Sequence, residues 1–200
     1  MKKLLLATAL YIGWAIPAHS QDVVTQTTVP IDKIDRPALT ISFPSHDDDV
    51  KDVLKEEIKR NDGKVRNSQG FIIGRGITIK QIASKERDIY WKLQSKGRKK
   101  KEVVTVIMAV QNEDGSFLSD SAHTSSYTNA YAWLSALPQK VAVYQKDQEL
   151  TALRKQLKKV TDELKDMQGE SSSRRKDFSK KSKELKELEE KIDNLQKQNR

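Results

Sequence analysis

The chain contains no cysteine. That excludes disulfides, thiolate chemistry and a lipid-modified N-terminus following leader removal. Histidine is nearly as scarce, with three in the chain. One of them, His19, falls in the leader described below. His46 and His123 remain, too few for a multi-histidine zinc site. Glycine clusters once, in Gly70-Phe71-Ile72-Ile73-Gly74-Arg75-Gly76. The cluster lacks the Gly-Lys-Ser/Thr ending of a phosphate loop and opens no helix, so its glycines read as strand glycines. No segment beyond the first twenty residues is apolar enough to span a bilayer.

The chain does have a leader pattern. Met1-Lys2-Lys3 is a short cationic start, and Leu4 to Ile16 is an uncharged apolar run of about 13 residues, short of the ~20 that cross a bilayer. Pro17 breaks any helix, and Ala18-His19-Ser20 sets small residues where a signal peptidase reads. Residues 1–20 are therefore expected to be a signal peptide cleaved before Gln21. The mature chain is then exported, periplasmic or extracellular, without a lipid anchor or a transmembrane segment. Removing Lys2 and Lys3 leaves 35 basic against 28 acidic side chains, an excess of seven. Residues 21–138 contribute two of these charges and residues 139–200 contribute five, so the basicity belongs mostly to the tail.

Residues 21–36 are polar and read as a linker or a short edge strand. Leu39, Ile41 and Phe43 then alternate with Ala38, Thr40 and Ser42, the period of a strand that ends at Pro44. Ser45 is placed to cap a helix whose first turn holds Asp47 and Asp48. Val50, Val53, Leu54 and Ile58 share one face of that helix, and Asn61-Asp62-Gly63 stops it. Phe71 and Ile73, then Ile77 and Ile79, predict a strand bent near Gly74 and Gly76. Ile89, Trp91 and Leu93 alternate in the next strand. Val103 to Val110 is apolar on both faces and reads as the central strand. Ala122 to Leu137 predicts a second helix packed through Tyr127, Ala130, Tyr131, Trp133, Leu134 and Leu137. Together these spacings predict an α+β domain over 37–137, an antiparallel sheet covered by two helices. Pro138 predicts a kink or restart between Leu137 and Gln139.

From there to residue 200 the spacing is heptad. Leu150, Leu157 and Leu164 hold one core position; Leu153, Val160 and Met167 hold the other. Phe178, Leu185, Leu188, Ile192 and Leu195 continue the same count beyond a polar interval, 168–176. That interval is either a loop in a helical hairpin or a weak stretch of one coiled-coil helix, and the preserved phase favours the continuous helix. A leucine seam alone in water is costly, since burying each leucine is worth about 1.5–3 kcal/mol, so the seam calls for a partner. The partner is a second copy, the chain's own other half, or another envelope protein.

Reactive constellations are weak throughout. His46-Asp47-Asp48-Asp49 has metal-binding chemistry, but consecutive residues at a helix start diverge, and a plain helix N-terminus accounts for them. Ser121, Ser125 and Ser126 near His123 lack an elbow motif. Asn112-Glu113-Asp114-Gly115-Ser116 is too short for a calcium loop. Lys96, Arg98, Lys99, Lys100 and Lys101 form a basic hairpin tip near Tyr90 and Trp91. Export argues against nucleic acid there, which leaves anionic envelope polymer as the functional alternative to a solvated tip.

The run Ala38-Leu39-Thr40-Ile41-Ser42-Phe43-Pro44-Ser45-His46, the strand series, Gly115-Ser116-Phe117-Leu118-Ser119 and the heptad tail together resemble a group of exported bacterial proteins. In that group a small βαββββα domain of TATA-binding-protein-like topology precedes a coiled coil. The resemblance implies the fold class and an envelope location. It brings no catalytic residues and no cofactor, and topological likeness to a DNA-binding fold transfers no function. The expectation is a non-enzymatic binding or assembly module that works through its coiled coil. The alternatives are a small-ligand binder or enzyme using a sheet–helix cleft near Trp91, Tyr127 or Trp133, and a polyanion binder using the basic tip.

Overall fold

The computed structural model describes residues 23–97, 102–120, 125–168 and 175–198, without the side chains of 167, 168, 175 and 176. The expected leader lies outside the described residues, as do Arg98, Lys99, Lys100 and Lys101. Six strands and four helices follow in the order β1 Thr25–Ile31, β2 Ile34–Pro44, α1 Asp47–Arg60, β3 Lys64–Ser68, β4 Phe71–Ile77, β5 Arg87–Lys96, β6 Val103–Gln111, α2 Ser125–Ser135, α3 Leu137–Gln168 and α4 Arg175–Gln198. The strands form one antiparallel sheet in the order β1-β2-β6-β5-β4-β3. The α+β class expected from the spacing is the observed one, with β6 between β2 and β5.

Period-two patterning divides the sheet between two cores. Leu39, Ile41, Phe43, Ile89, Trp91, Val104, Val106 and Met108 face α1, α2 and the start of α3, and meet Val50, Leu54, Ile58, Trp133, Leu134 and Leu137. Their neighbours in sequence point the other way. Phe71, Ile73, Tyr90 and Ala109 are buried there against Val29, Ile31 and Ala38. Long β2 makes the second core possible. Its first half pairs with β1, from Thr25↔Thr40 to Ile31↔Ile34, while its second half pairs with β6, from Leu39↔Met108 to Pro44↔Val103. The β1–β2 hairpin thereby overhangs the sheet face that carries no helix.

Several expected boundaries are corrected. Residues 25–31 form the edge strand expected as the alternative to a linker, and Ile34 already opens β2. Thr25, Gln26, Thr28 and Pro30 are exposed on an edge strand while Val29 and Ile31 are buried. Strand β3 has the sequence KVRNS with only Val65 half-buried, so it carries almost no apolar signal. Tight turns at Asp32-Lys33 and Gln69-Gly70 place both central residues at positive φ, as two-residue hairpins of right-handed twist require. The expected bend appears as a register shift between Gly74 and Ile77, and β4 ends at Ile77, with Ile79 buried in the turn beyond. His46, not Ser45, is the residue before α1, and it makes no side-chain cap.

At the domain's other end, α2 stops at Ser135 and α3 begins at Leu137. The restart therefore falls one residue ahead of the expected place. Pro138 lies in the first turn of α3, where a missing N–H costs no helical bond. Leu137 and Val141 are buried in the main core, so the domain extends past its expected limit at 137 into α3.

The tail is a hairpin, not one continuous helix. Helix α3 ends at Gln168, α4 starts at Arg175, and the two pack against each other through Val160, Leu164 and Leu188. The polar interval supplied the break because it offers no apolar residue to bury, whereas folding back covers both arms of the seam.

Candidate interaction surface on the helical hairpin

Helix α3 leaves the domain on a polar rather than a purely apolar footing. Glu57 lies on the apolar stripe of α1 by helical spacing and is only 5% exposed. Its carboxylate accepts from Lys140 Nζ at 3.2 Å and from Asn61 Nδ2 at 3.3 Å, with Arg60 at 3.7 Å. The Lys140 ammonium also sits 4.5 Å from the centre of the Trp133 ring. One turn on, Tyr144 donates to Asp52 at 3.3 Å, and Gln145 donates to Asp49 at 2.7 Å. Burial first, then the Asp52 charge, pushes the Tyr144 phenol up. These contacts hold the root of the hairpin at a fixed angle to α1.

Beyond residue 146 the hairpin stands on its own packing. Two contacts define its antiparallel register: Lys181 Nζ to Glu163 at 2.8 Å, and Lys146 Nζ donating to the Gln198 carbonyl at 3.5 Å. That register sets Leu150 opposite Leu195, Leu153 opposite Ile192, Leu157 opposite Leu188, and Val160 opposite Leu185. Leu164 faces Lys181, which occupies a core position of the heptad. Lys181 also bridges Glu184 at 3.1 Å, and its two carboxylate partners, Glu163 first, raise its pKa. Reciprocally, the hydrogen bond from Lys181 holds the Glu163 carboxyl below the usual carboxylate range.

Closing the hairpin covers the seam only in part. Val160, Leu164 and Leu188 are buried. Leu150, Leu153, Leu157, Phe178, Leu185, Ile192 and Leu195 remain half-exposed. The Met167 side chain lies outside the described residues. Two helices can cover each seam residue from one side, and the other side stays wet. An open groove beside Leu157 and Ile192 has Glu189, Glu190 and Asp193 on its rim.

The other expected sites resolve differently. His46 Nδ1 lies 3.0 Å from Glu102, Asp47 and Asp48 pair with Lys51, and Asp49 accepts from Gln145. The three aspartates thus serve the first turn of α1 and the docking of α3. Trp91 and Trp133 are core residues with ring centres 6.1 Å apart. Of the basic tip only Lys96 is described, and it is exposed at the end of β5.

Sequence reasoning missed Glu57, Lys140 and Lys181, although signals for two of them were present. Glu57 is a charge on an apolar helical stripe, and Lys181 interrupts a heptad position between Phe178 and Leu188. Lys140 carries no such mark. Comparison with family models, curated proteins and solved structures gives no match.

Proposed function

We propose that this chain is an exported, non-enzymatic docking module whose α+β domain carries the helical hairpin as its contact surface. One observation carries the reading: seven of the ten described seam residues stay half-exposed after the hairpin has closed on itself. The rigid root at Glu57, Asp52 and Asp49 supports it, because a surface that must meet a partner gains from a fixed orientation. The leader pattern supports export. The run from β2 to α2, a strand, a helix, four strands and a helix, supports kinship with the exported proteins of βαββββα domain and coiled coil.

A photoreactive residue in place of Leu185 or Ile192, activated in living cells, tests the docking role. Cross-links to a second polypeptide, of whatever identity, are expected. Links confined to the chain's own α3 overturn the reading. Export is tested apart from this, by N-terminal sequencing of protein recovered outside the inner membrane; a chain that stays in the cytoplasm with Met1 intact refutes it.

A further inference from the structure

The charged side chains of the sheet are sorted by face. By strand alternation, Arg36, Lys64, Arg66, Arg75, Lys92 and Lys96 lie on the face without helices, with Asp88 as the one strand acid among them. Bases on the helical side have carboxylate partners: Lys51 and Lys55 on acids of α1, and Lys140 on Glu57. On the open face, the ion pair found among the described residues is Arg75 with Asp88, at 3.9 Å. Arg36 and Lys92 lie instead over the Phe117 and Phe71 rings, 5.1 and 5.6 Å from their centres. Either sign of charge keeps a surface soluble, and unpaired charges of one sign repel, so neither solubility nor stability explains the sorting.

The same face holds a cleft. Where the tip of the β1–β2 hairpin overhangs β3 and β4 it leaves about 330 Å³, within the range of small-ligand sites. Arg66 and Arg75 bring positive charge to its lining, Asp32 one negative charge, and Asn67, Ser68 and Gln69 amide and hydroxyl groups. Both arginines are exposed. Beyond the cleft, Lys92 and Lys96 carry the positive charge about 13 Å along β5, at 3.3 Å per residue, farther than one small ligand reaches.

We propose that this open face binds an acidic polysaccharide, with one carboxylated sugar seated in the cleft on Arg66 and Arg75 and the chain running along β5 past Lys92. The planar fork of arginine matches a carboxylate with two parallel hydrogen bonds. The amide and hydroxyl groups of Asn67, Ser68 and Gln69 can each donate to and accept from ring hydroxyls. Nucleic acid fits this face less well. Single strands are held by bases stacked on exposed rings, whereas Phe71 and Tyr90 are 5% and 9% exposed. The surface is separate from the helical hairpin, so its test is independent of the docking reading.

Titration calorimetry of the full chain with hexagalacturonate should show binding that weakens as salt is raised. Replacing both cleft arginines, R66Q with R75Q, should raise the dissociation constant at least about tenfold, since each change removes a charge-assisted bond. K59Q with K158Q removes the same charge from exposed positions on α1 and α3 and should leave binding nearly unchanged. Asp32→Asn removes the acid from the cleft and should tighten binding. Circular dichroism checks that each variant keeps its fold. No binding by the parent, equal weakening by the two lysine changes, or weaker binding by Asp32→Asn overturns the proposal. So does a methyl ester of hexagalacturonate that binds as well as the acid, or a single-stranded oligonucleotide of equal charge that binds more tightly.

Discussion

Replacing Lys140 by methionine keeps most of the side chain's stem and removes its charge. Glu57 would then be a carboxylate only 5% exposed, left with the Asn61 amide at 3.3 Å and the Arg60 guanidinium at 3.7 Å. Removing one partner from a fully buried ion pair costs about 3–5 kcal/mol. The two remaining partners and the 31% exposure of Lys140 reduce that here, to about 2 kcal/mol. Loss of the ammonium above the Trp133 ring adds about 0.5–1 kcal/mol. The expected destabilisation is therefore about 2–3 kcal/mol, read from urea unfolding followed by tryptophan fluorescence with an unchanged slope. Pairing the change with Glu57→Gln should recover most of the loss, because a neutral amide has far less to lose on burial. A single variant within about 0.5 kcal/mol of the parent, or a double variant no better than the single one, would refute the claim that this pair fixes α3 to α1.

Two further outcomes follow from the geometry. Glu163 has its pKa depressed by Lys181, so the stability it contributes is full above the ordinary carboxylate pKa and is lost as pH falls through the lower folded value. Helix content of the tail should therefore drop on acidification below the usual carboxylate range, and a Glu163→Gln variant should show a smaller change in that window. At Gly63 an added methyl would collide with the branched side chains of Ile58 and Ile77 and reach 3.0 Å from the Ile58 carbonyl, so Gly63→Ala should destabilise the domain by about 1–3 kcal/mol in the same urea assay.

Elements that bury one full face were legible from spacing alone. The alternation of Leu39, Ile41 and Phe43 and the helical stripe Val50, Val53, Leu54 and Ile58 locate β2 and α1 because their burial obeys a period. Strands β1 and β3 are edges, and an edge strand is held by backbone hydrogen bonds to one neighbour, which leave no mark on side-chain identity. The turns Asp32-Lys33 and Gln69-Gly70 were equally quiet, since neither contains the Asn-Gly or Asp-Gly pair that announces a two-residue hairpin. In the tail, the sequence shows the seam but not its partner. An antiparallel pair sets one core position against the other core position along its whole length, and two arms sharing one heptad count satisfy that as readily as a straight helix does. Preserved phase therefore does not distinguish the two. What sets the hairpin apart is that folding back covers Val160, Leu164 and Leu188 without a second chain.

Lys181 completes that argument, because it is the polar member of an otherwise apolar seam. Facing Leu164 and 28% exposed, it forgoes the burial that a leucine would gain there. In return it binds Glu163 from the opposite arm and Glu184 from its own, at 2.8 and 3.1 Å. A polar residue at one core position lowers stability but admits only the alignment that satisfies it. Lys181→Leu should then raise the thermal midpoint of the tail, because a leucine packed on Leu164 gains apolar burial while the bridges lost are screened by solvent. The same change should loosen alignment. Without the lysine, sliding one arm by a heptad sets leucine against leucine in nearly as many layers, so Glu149→Cys should form a disulfide with Gln198→Cys, its neighbour in the observed register, and, in a separate variant, also with Lys191→Cys, its neighbour after the slide. A variant that melts lower than the parent, or that is more stable and still traps a single register, would show that the hairpin is aligned by its seam and its loop without help from the lysine.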